Sequence, residues 1–518
     1  MKKKQIFYAA EIVFLLVFTM ACSNGTTGTD DSTAGKAVLF VSVNTGSAAV
    51  GKTVNYYVDA KNAEGKTENV TCKSENEAVA TADIDENKLT ITGISTGTTN
   101  IVVTSASGKT ASVEAVIYNT QYMEIKNGLL LSYTSKFSEK WNDAGSDGDE
   151  DASFWQPVSD TSNSWYPVGS LITNKHSDPS GSSSVVILKD ISDAQNILAA
   201  PTDYKYIWND SGSDADDDGS VWLPVAPDGY VAMGVVVNSG HSKPSTNIIR
   251  CVKKEYVVDG QVGNKIYYDK GTDSDDNLGT WELTGSDNVQ VADGQMFILP
   301  GTSVAAPSYD SSDVDSSLLH VFLVDLPVVE ERNNTSVKIT LSDYNAYVAQ
   351  FPRYSSTVRI PFTLITDSNH TTGWKTENSP FYLIQREDTY KSLSSLYNQT
   401  SADVTRSYTI SKSITNSESN KTTTEYGMDI TAEAGVTVGP EETKLSVTLS
   451  KKLGQEKESS ISYTGTEEDT KSFTIPAGKF VDIENILSYY NCYNSWGESV
   501  GSQKMNSDNI WVLMYPLE

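Results

Sequence analysis

An aromatic-led acidic phrase occurs three times in the middle of this 518-residue chain, twice opening on tryptophan and once on tyrosine. It first reads Trp141-Asn142-Asp143-Ala144-Gly145-Ser146-Asp147 and continues through Asp149, Asp151, Ser153, Trp155 and Pro157. It returns as Trp208-Asn209-Asp210-Ser211-Gly212-Ser213-Asp214, then Asp216, Asp218, Ser220, Trp222 and Pro224. A weaker third copy is Tyr267-Tyr268-Asp269-Lys270-Gly271-Thr272-Asp273, then Asp275, Asn277, Thr280 and Trp281. The first two copies stay in step through Gly169 and Gly234 to His176-Ser177-Asp178-Pro179 and His241-Ser242-Lys243-Pro244. A unit of roughly 60 residues cannot bury its apolar face alone, so the copies must pack on one another. Three similar sheets around a pseudo-threefold axis, a β-prism, is the arrangement expected; a short propeller is the alternative. The recurring tryptophans then pin a core. Trp165 and Trp374 stand outside the repeat and are candidates for exposure, where an aromatic beside acids makes a sugar-binding surface.

The acidic loops are candidate cation sites. Asp214, Asp216 and Asp218 stand at positions one, three and five of a Ca²⁺ loop, with Gly219 at six. Asp147, Asp149 and Asp151 repeat the spacing, as do Asp273, Asp275 and Asn277. Ca²⁺ takes about 6–8 oxygens, and Val225 stands where the bidentate acid of position twelve belongs, so another loop or water must complete the shell. The competing reading is a solvated turn whose Asp side chains cap backbone amides. His176 and His241 hold equivalent repeat positions that threefold geometry keeps apart, which favours structural roles over one shared metal site. His320 lies in the apolar run from Leu318 to Val324 and reads as a satisfied core residue. The chain shows no nucleophile motif, no recognisable carboxylate pair and no phosphate loop, so no enzymatic activity is expected.

Composition narrows the partners. A net charge of −28 disfavours nucleic acid and anionic lipid as general partners. The length makes several domains the expectation. Cys72, Cys251 and Cys492 are too few and too far apart for a disulfide framework or a cysteine metal site, and buried free thiols are expected.

A second pattern lies near the C-terminus. Met428, Ile430, Ala432, Ala434, Val436 and Val438 alternate with polar residues or glycine. After Gly439-Pro440-Glu441-Glu442 the alternation resumes at Leu445, Val447 and Leu449. Period two on both sides of a Gly-Pro turn reads as a hairpin with one apolar and one wet face. Each run approaches the roughly 9–11 residues that cross a bilayer as a tilted strand. Ser/Thr-rich arms flank it, Arg406 to Thr424 and Glu458 to Thr474. An ordinary half-buried hairpin alternates in the same way. The membrane reading places Met428, Ile430, Val436, Val438, Leu445, Val447 and Leu449 against lipid and requires several copies, because a lone hairpin leaves unpaired backbone groups in hydrocarbon. The alanines at 432 and 434 weaken that lipid face.

At the N-terminus, Lys2-Lys3-Lys4 precedes a short apolar core from Ile12 to Met20, ending in Thr19-Met20-Ala21-Cys22-Ser23. This resembles a bacterial lipoprotein signal, which implies that Cys22 becomes the lipidated first residue. A plain secretory signal cut near Ala21 is the alternative, since Thr19 stands where leucine is usual. Residues 23–35 read as a flexible tether.

Residues 36–119 carry short strand-like runs separated by turn signals, the pattern of a β-sandwich. Val50-Gly51-Lys52, Val70-Thr71-Cys72-Lys73-Ser74, Ala78-Val79-Ala80-Thr81 and Leu89 to Thr98 resemble the bacterial Ig-like group 2 domain, with Cys72 where that family usually has Trp. The resemblance implies a stalk without chemistry.

The repeat resembles the family named after vacuolar protein sorting protein 62, whose signature matches Trp141, Asp143, Gly145, Ser146, Asp151, Ser153, Trp155 and Pro157. The second copy matches at Trp208, Asp210, Gly212, Ser213, Ala215, Asp218, Ser220, Trp222 and Pro224, while Asp147 and Asp214 replace a family glycine. Ile360-Pro361-Phe362, the segment Ser379 to Arg386 and Tyr390 match a further family segment. In related multidomain proteins that segment precedes a region resembling aerolysin-type pore formers; here it spans 400–485, with Ala432 to Val436 and Leu445 to Ser450 its most recognisable phrases.

The expectation is an all-β protein: signal peptide 1–22, tether 23–35, Ig-like sandwich 36–119, β-prism-like repeat domain 120–330, and an elongated antiparallel domain 331–518 with a long hairpin. Its expected role is a pore-forming-toxin-like protein, exported and lipid-anchored to the bacterial envelope at the outer membrane or cell surface. It would bind a target membrane or surface glycan, assemble with itself and insert the hairpin, with Ca²⁺ as the one cofactor in view. The alternative is a non-lytic adhesin or glycan-binding lipoprotein.

Overall fold

The computed structural model describes residues 37–331, 353–411 and 468–516, except 42–44, 65, 87, 195, 292–294, 326–327, 366 and 476. Among these residues the fold is all-β, with one short α-helix, Thr372–Asn378. None of the described helices is long and apolar enough to cross a membrane. Cys22 and the alternating stretch from Met428 to Leu449 lie outside the described residues.

The first unit is a two-sheet sandwich. Strand Thr53–Lys61 pairs with Val38–Val41 and Lys88–Gly93, and the latter pairs with Ala80–Asp85. Facing it, Gly97–Ser105 lies between Val70–Ser74 and Thr110–Tyr118, with Thr45–Ala49 added in parallel. Alternate residues Ile101, Val103, Val113, Ala115 and Ile117 point into a core with Tyr56, Val58, Leu89 and Ile91, as period-two patterning requires. Cys72 is only partly buried against this core. Cys72, Cys251 and Cys492 are all free thiols, and burial pushes the last two up to about 12.

The repeat builds three antiparallel sheets. The first is Phe137–Asn142, Ser153–Pro157 and Leu171–Thr173. The second is Asp203–Asn209, Gly219–Val225 and Val236–Ser239. The third is Val258–Tyr268, Gly279–Gly285 and Ser303–Ala306. In each, the register shifts just before the leading aromatic: at Glu139/Trp141, Tyr206/Trp208 and Lys265/Tyr267. A bulge at the same place in every copy turns that aromatic inward. Trp141, Trp208 and Tyr267 therefore meet in one core with Phe154, Val221, Leu278 and Val304. The indoles of Trp141 and Trp208 pack edge to face at 5.2 Å and 73°. Trp155, Trp222 and Trp281 are buried too, so all five repeat tryptophans serve packing.

Two rings of backbone hydrogen bonds close the threefold arrangement. Ser170 N–H donates to Val235 O (2.8 Å), Val235 to Ser303 O (2.9 Å), and Ser303 back to Ser170 O (2.9 Å). Gly234, at φ +120°, stands here because a Cβ would meet Thr302 Oγ1 at 2.6 Å. The second ring runs in the opposite sense: Asp149 N–H to Lys270 O, Asp216 to Ala144 O and Asp275 to Ser211 O, at 2.7–2.8 Å. The acidic loops are thus the interlock between copies.

A third core lies beneath the prism. It joins Leu129, Leu131, Val186 and Leu188 to Met296, Phe322, Ile360, Phe362, Phe381 and Cys492, so residues on both sides of position 330 share one interior. Buried Arg359 donates to Asn119 O (2.7 Å) and Tyr122 O (3.2 Å), clamping the chain as it leaves the sandwich. Burial lowers its guanidinium to about 10.

From this core three long strands extend. Phe381–Asn398 pairs with Lys479–Tyr493, which pairs with Ser499–Pro516. At about 3.3 Å per residue, 18 residues reach roughly 60 Å. Beside them, Val404–Ser411 and Glu468–Ile475 form a two-stranded ladder, with Ser411 opposite Glu468.

Candidate functional site

Two groups of metal-ligating side chains form in the prism, one in each of the first two copies: Asp143, Asp151 and His176, and Asp210, Asp218 and His241. In each group one ligand atom from every residue lies within 4.8 Å of the others. Asp143 and Asp210 follow the leading tryptophan by two residues. They are held rigidly: Ala152 N–H donates to Asp143 Oδ1 at 2.9 Å, and Gly219 N–H to Asp210 Oδ1 at 3.0 Å. Trp141 Nε1 donates to Asp210 Oδ2 at 2.9 Å, so the first copy's aromatic orients the second copy's carboxylate. His176 Nε2 lies 2.5 Å from Asp143 Oδ1, and His241 Nε2 2.6 Å from Asp210 Oδ1. Asp218 Oδ1 stands 3.9 Å from His241 Nε2. The carboxylates of Asp143 and Asp210 are buried, whereas the histidines are about two-fifths exposed, at 40% and 37%. Each group therefore opens to solvent on its imidazole side.

The donor set favours one class of ion over another, were a cation to bind. One imidazole and two carboxylates, with room for solvent, suit Zn²⁺, Mn²⁺ or Co²⁺; Ca²⁺ and Mg²⁺ take oxygen alone. At the 2.5–2.6 Å seen here, each imidazole is hydrogen-bonded directly to its carboxylate, a contact that a bound metal would have to open.

The third copy has lost the group. Tyr309 stands where the histidines stand and hydrogen-bonds Asp269, Asn277 replaces the second carboxylate, and Lys270 replaces Ala144 and Ser211. Lys270 Nζ sits 4.8 Å from the Tyr309 ring centre and 5.2 Å from that of Tyr268, adding positive charge where a cation would bind. Burial raises Asp269 above the usual carboxylate range, an effect partly offset by bonds from Leu278 N–H, Tyr309 and Trp208. Burial, followed by the nearby Asp269 charge, pushes Tyr309 up to about 12. Tyr267 is also unlike its counterparts: its buried hydroxyl has no partner, whereas Trp141 and Trp208 both donate. Tyr267→Phe is therefore expected to leave Tm unchanged or raise it, since an unmade buried hydrogen bond costs about 1–3 kcal/mol; thermal unfolding checks this.

The residues singled out by spacing divide. Asp218 joins the Asp210 and His241 group, while Asp214 and Asp216 do not. Those two turn toward the first copy, where a Cβ on Gly145 would lie 2.8 Å from Asp216 Oδ1 and 2.9 Å from Asp214 O. His176 and His241 do stay apart, each in its own copy. Asp143 and Asp210 drew attention only as repeat markers. Their alignment with a repeated histidine was the available signal. His320 is buried as expected, but its Nδ1 has no partner, and burial lowers its pKa below the imidazole norm. Trp165 and Trp374 are half-buried. Among the described side chains, the exposed indole is that of Trp496, which no motif marked.

Titration with Zn²⁺ or Co²⁺ is expected to raise Tm; saturation at a hundredfold over Kd adds about 2.7 kcal/mol per site. Asp151→Asn together with Asp218→Asn should remove most of that shift, because both carboxylates are exposed ligands. Asp214→Asn with Asp216→Asn should keep it. The opposite pattern in differential scanning fluorimetry would return the ion to the acidic loops.

A family model described as vacuolar protein sorting-associated protein 62 matches residues 119–317. No curated protein matches the chain. Among solved structures, GNIP1Aa from Chromobacterium piscinae is similar at 21% identity over 43% of this chain, with a TM-score of 0.32. The chain covers 40% of GNIP1Aa. Cry35Ab1 is similar at 10% identity over 76% of this chain and 90% of its own, with a TM-score of 0.27. Domains 4 and 5 of the S-layer protein SbsC share 26% identity over 16% of this chain and 53% of their own, with a TM-score of 0.14. Superpositions this loose carry neither fold nor activity across.

Proposed function

We propose that this is an exported, lipid-anchored surface protein of the pore-forming-toxin type. Its prism recognises a target surface, several copies gather there, and each contributes a β-hairpin to a shared barrel. One observation supports this above the others: the ladder Val404–Ser411 with Glu468–Ile475 has Ser411 opposite Glu468, so residues 412–467 leave and return at neighbouring positions. A segment attached in that way can add strands to its ladder without breaking the core below. Cys22 is the proposed anchor, and the sandwich a stalk. Oligomerisation follows from the barrel, because a single hairpin cannot pair its own edges in hydrocarbon.

The second reading is a non-lytic adhesin that binds a glycan or another surface. The two His–Asp–Asp groups favour it, since an open metal-ligating group serves recognition without any insertion. Vesicles and cells loaded with dye separate the two. Release accompanied by ring-shaped oligomers supports the pore; stable surface binding by a monomer that releases nothing from any vesicle or cell tested supports the adhesin.

A further inference from the structure

We propose that Trp496, displayed beside Trp374, His370 and Glu498, is the platform of a binding site for a neutral sugar ring. The inference rests on the surface-recognition reading of the proposed function, to which it adds a contact outside the prism, and it is independent of hairpin insertion. The site lies outside the residues matched by the family model.

The turn that carries Trp496 is rigid. It joins strands Lys479–Tyr493 and Ser499–Pro516. Asn494 is 1% exposed at its base. Its Oδ1 accepts from the N–H groups of Trp496 and Glu498, each at 3.0 Å, and its Nδ2 donates to Glu498 Oε2 at 2.7 Å. Gly497, at φ +80°, completes the turn with open space where a Cβ would stand. Ser495 fastens the turn to its neighbour: its N–H donates to Ser379 Oγ at 2.9 Å and its hydroxyl to Phe381 O at 3.1 Å.

The helix Thr372–Asn378 supplies the second indole. Thr371 Oγ1 caps Trp374 N–H at 3.2 Å. Gly373 N–H donates to Gly181 O at 2.9 Å and Thr376 bonds Ser135 at 2.8 Å, docking the helix on the prism base. His370 stacks on Trp374 at 3.7 Å and 22°. Its Nδ1 contacts Asp367 Oδ2 at 2.9 Å, and its Nε2 lies 3.4 Å from Glu498 Oε2. The Asp367 side chain is 1% exposed and also accepts from Tyr382 OH at 2.7 Å. A buried carboxylate thus orients the imidazole, and the imidazole backs the indole.

Against this frame Trp496 is 62% exposed, its ring centre 5.5 Å from that of Trp374 at 62°. Tryptophan is ordinarily well buried, and a large exposed ring on an ordered support marks a contact surface. The ordering cost of such a side chain is met before the ligand arrives. Three features select the ligand. An indole face stacks on the flat C–H face of a pyranose. The half-exposed Glu498 carboxylate at its rim offers acceptors for sugar hydroxyls. That carboxylate and the net charge of −28 oppose sialylated or sulfated glycans and anionic headgroups. Edge-to-face packing of the indoles leaves no box between them for a quaternary ammonium group.

The test is an array of neutral gluco-, galacto- and manno-configured oligosaccharides, with sialylated glycans and phosphocholine vesicles alongside, probed with the full chain. Bound neutral glycans are then titrated calorimetrically. Wild-type protein is expected to bind one or more neutral glycans. Trp496→Ala should weaken that binding at least tenfold with Tm unchanged, Trp496→Phe should retain most of it, and Glu498→Gln should weaken it less than Trp496→Ala. Absence of neutral-glycan binding by the wild type, equal binding by Trp496→Ala, or binding only to phosphocholine vesicles would each overturn the assignment. Dye release plays no part in this readout, so a failed pore and a failed sugar site give different results.

Discussion

Trp208→Ala is expected to unfold the repeat domain at ordinary temperatures or leave it loosely packed. The side chain is fully buried between copies, with ring centres 5.2 Å from Trp141 and 5.8 Å from Phe154. Its Nε1 donates to Asp269 Oδ2 at 2.8 Å. Removing a buried tryptophan costs about 3–5 kcal/mol. The buried Asp269 carboxylate also loses one of its donors, while keeping Leu278 N–H and Tyr309, which adds about 1 kcal/mol. The sum is comparable to the roughly 5–15 kcal/mol that holds a whole domain together. Urea unfolding followed by near-ultraviolet circular dichroism measures the loss. Trp208→Phe, which keeps an aromatic ring but drops the donor, should cost distinctly less. A loss below about 1 kcal/mol for Trp208→Ala would mean that the aromatic cluster is not what holds the copies together.

The second large effect concerns the membrane. Val436→Arg with Val447→Arg is expected to reduce dye release more than tenfold while leaving surface binding and Tm unchanged. Both residues fall on the apolar face of the alternating stretch. An arginine on the lipid face of a barrel costs about 2–4 kcal/mol near the bilayer midplane, and each subunit of an assembly would carry two. Thr437→Arg provides the contrast, since a one-residue step along a strand moves the side chain to the wet face. It should release dye nearly as well as the wild type. Equal losses from both substitutions would mean that insertion does not follow the alternation, and the adhesin reading would gain.

Much of the architecture was legible because it is periodic. Repetition of the Trp141, Trp208 and Tyr267 phrases required copies that bury one another, and the three sheets share one core as that repetition demands. The inward tryptophans followed from the same logic. The boundary at position 330 was less visible. Leu131 and Phe381 lie in one interior although far apart in the chain, and local patterning carries no record of such a contact. The acidic loops were conspicuous for charge, but their main-chain work, from Asp149 N–H to Lys270 O and its two counterparts, depends on neighbouring copies. Trp496 gave no signal either, because its exposure is set by a turn built on Asn494.

By itself the sequence determined an all-β chain with a thrice-used unit, aromatic pins and free thiols, because periodicity and composition are properties of neighbours along the chain. Tertiary structure alone decided which side chains converge. Asp143 meets His176 across 33 residues and Asp210 meets His241 across 31, while Asp269 meets a tyrosine and a nearby lysine instead. A ligand set exists only where loops from different strands come within a few ångströms, and that proximity is fixed by how sheets stack around an axis.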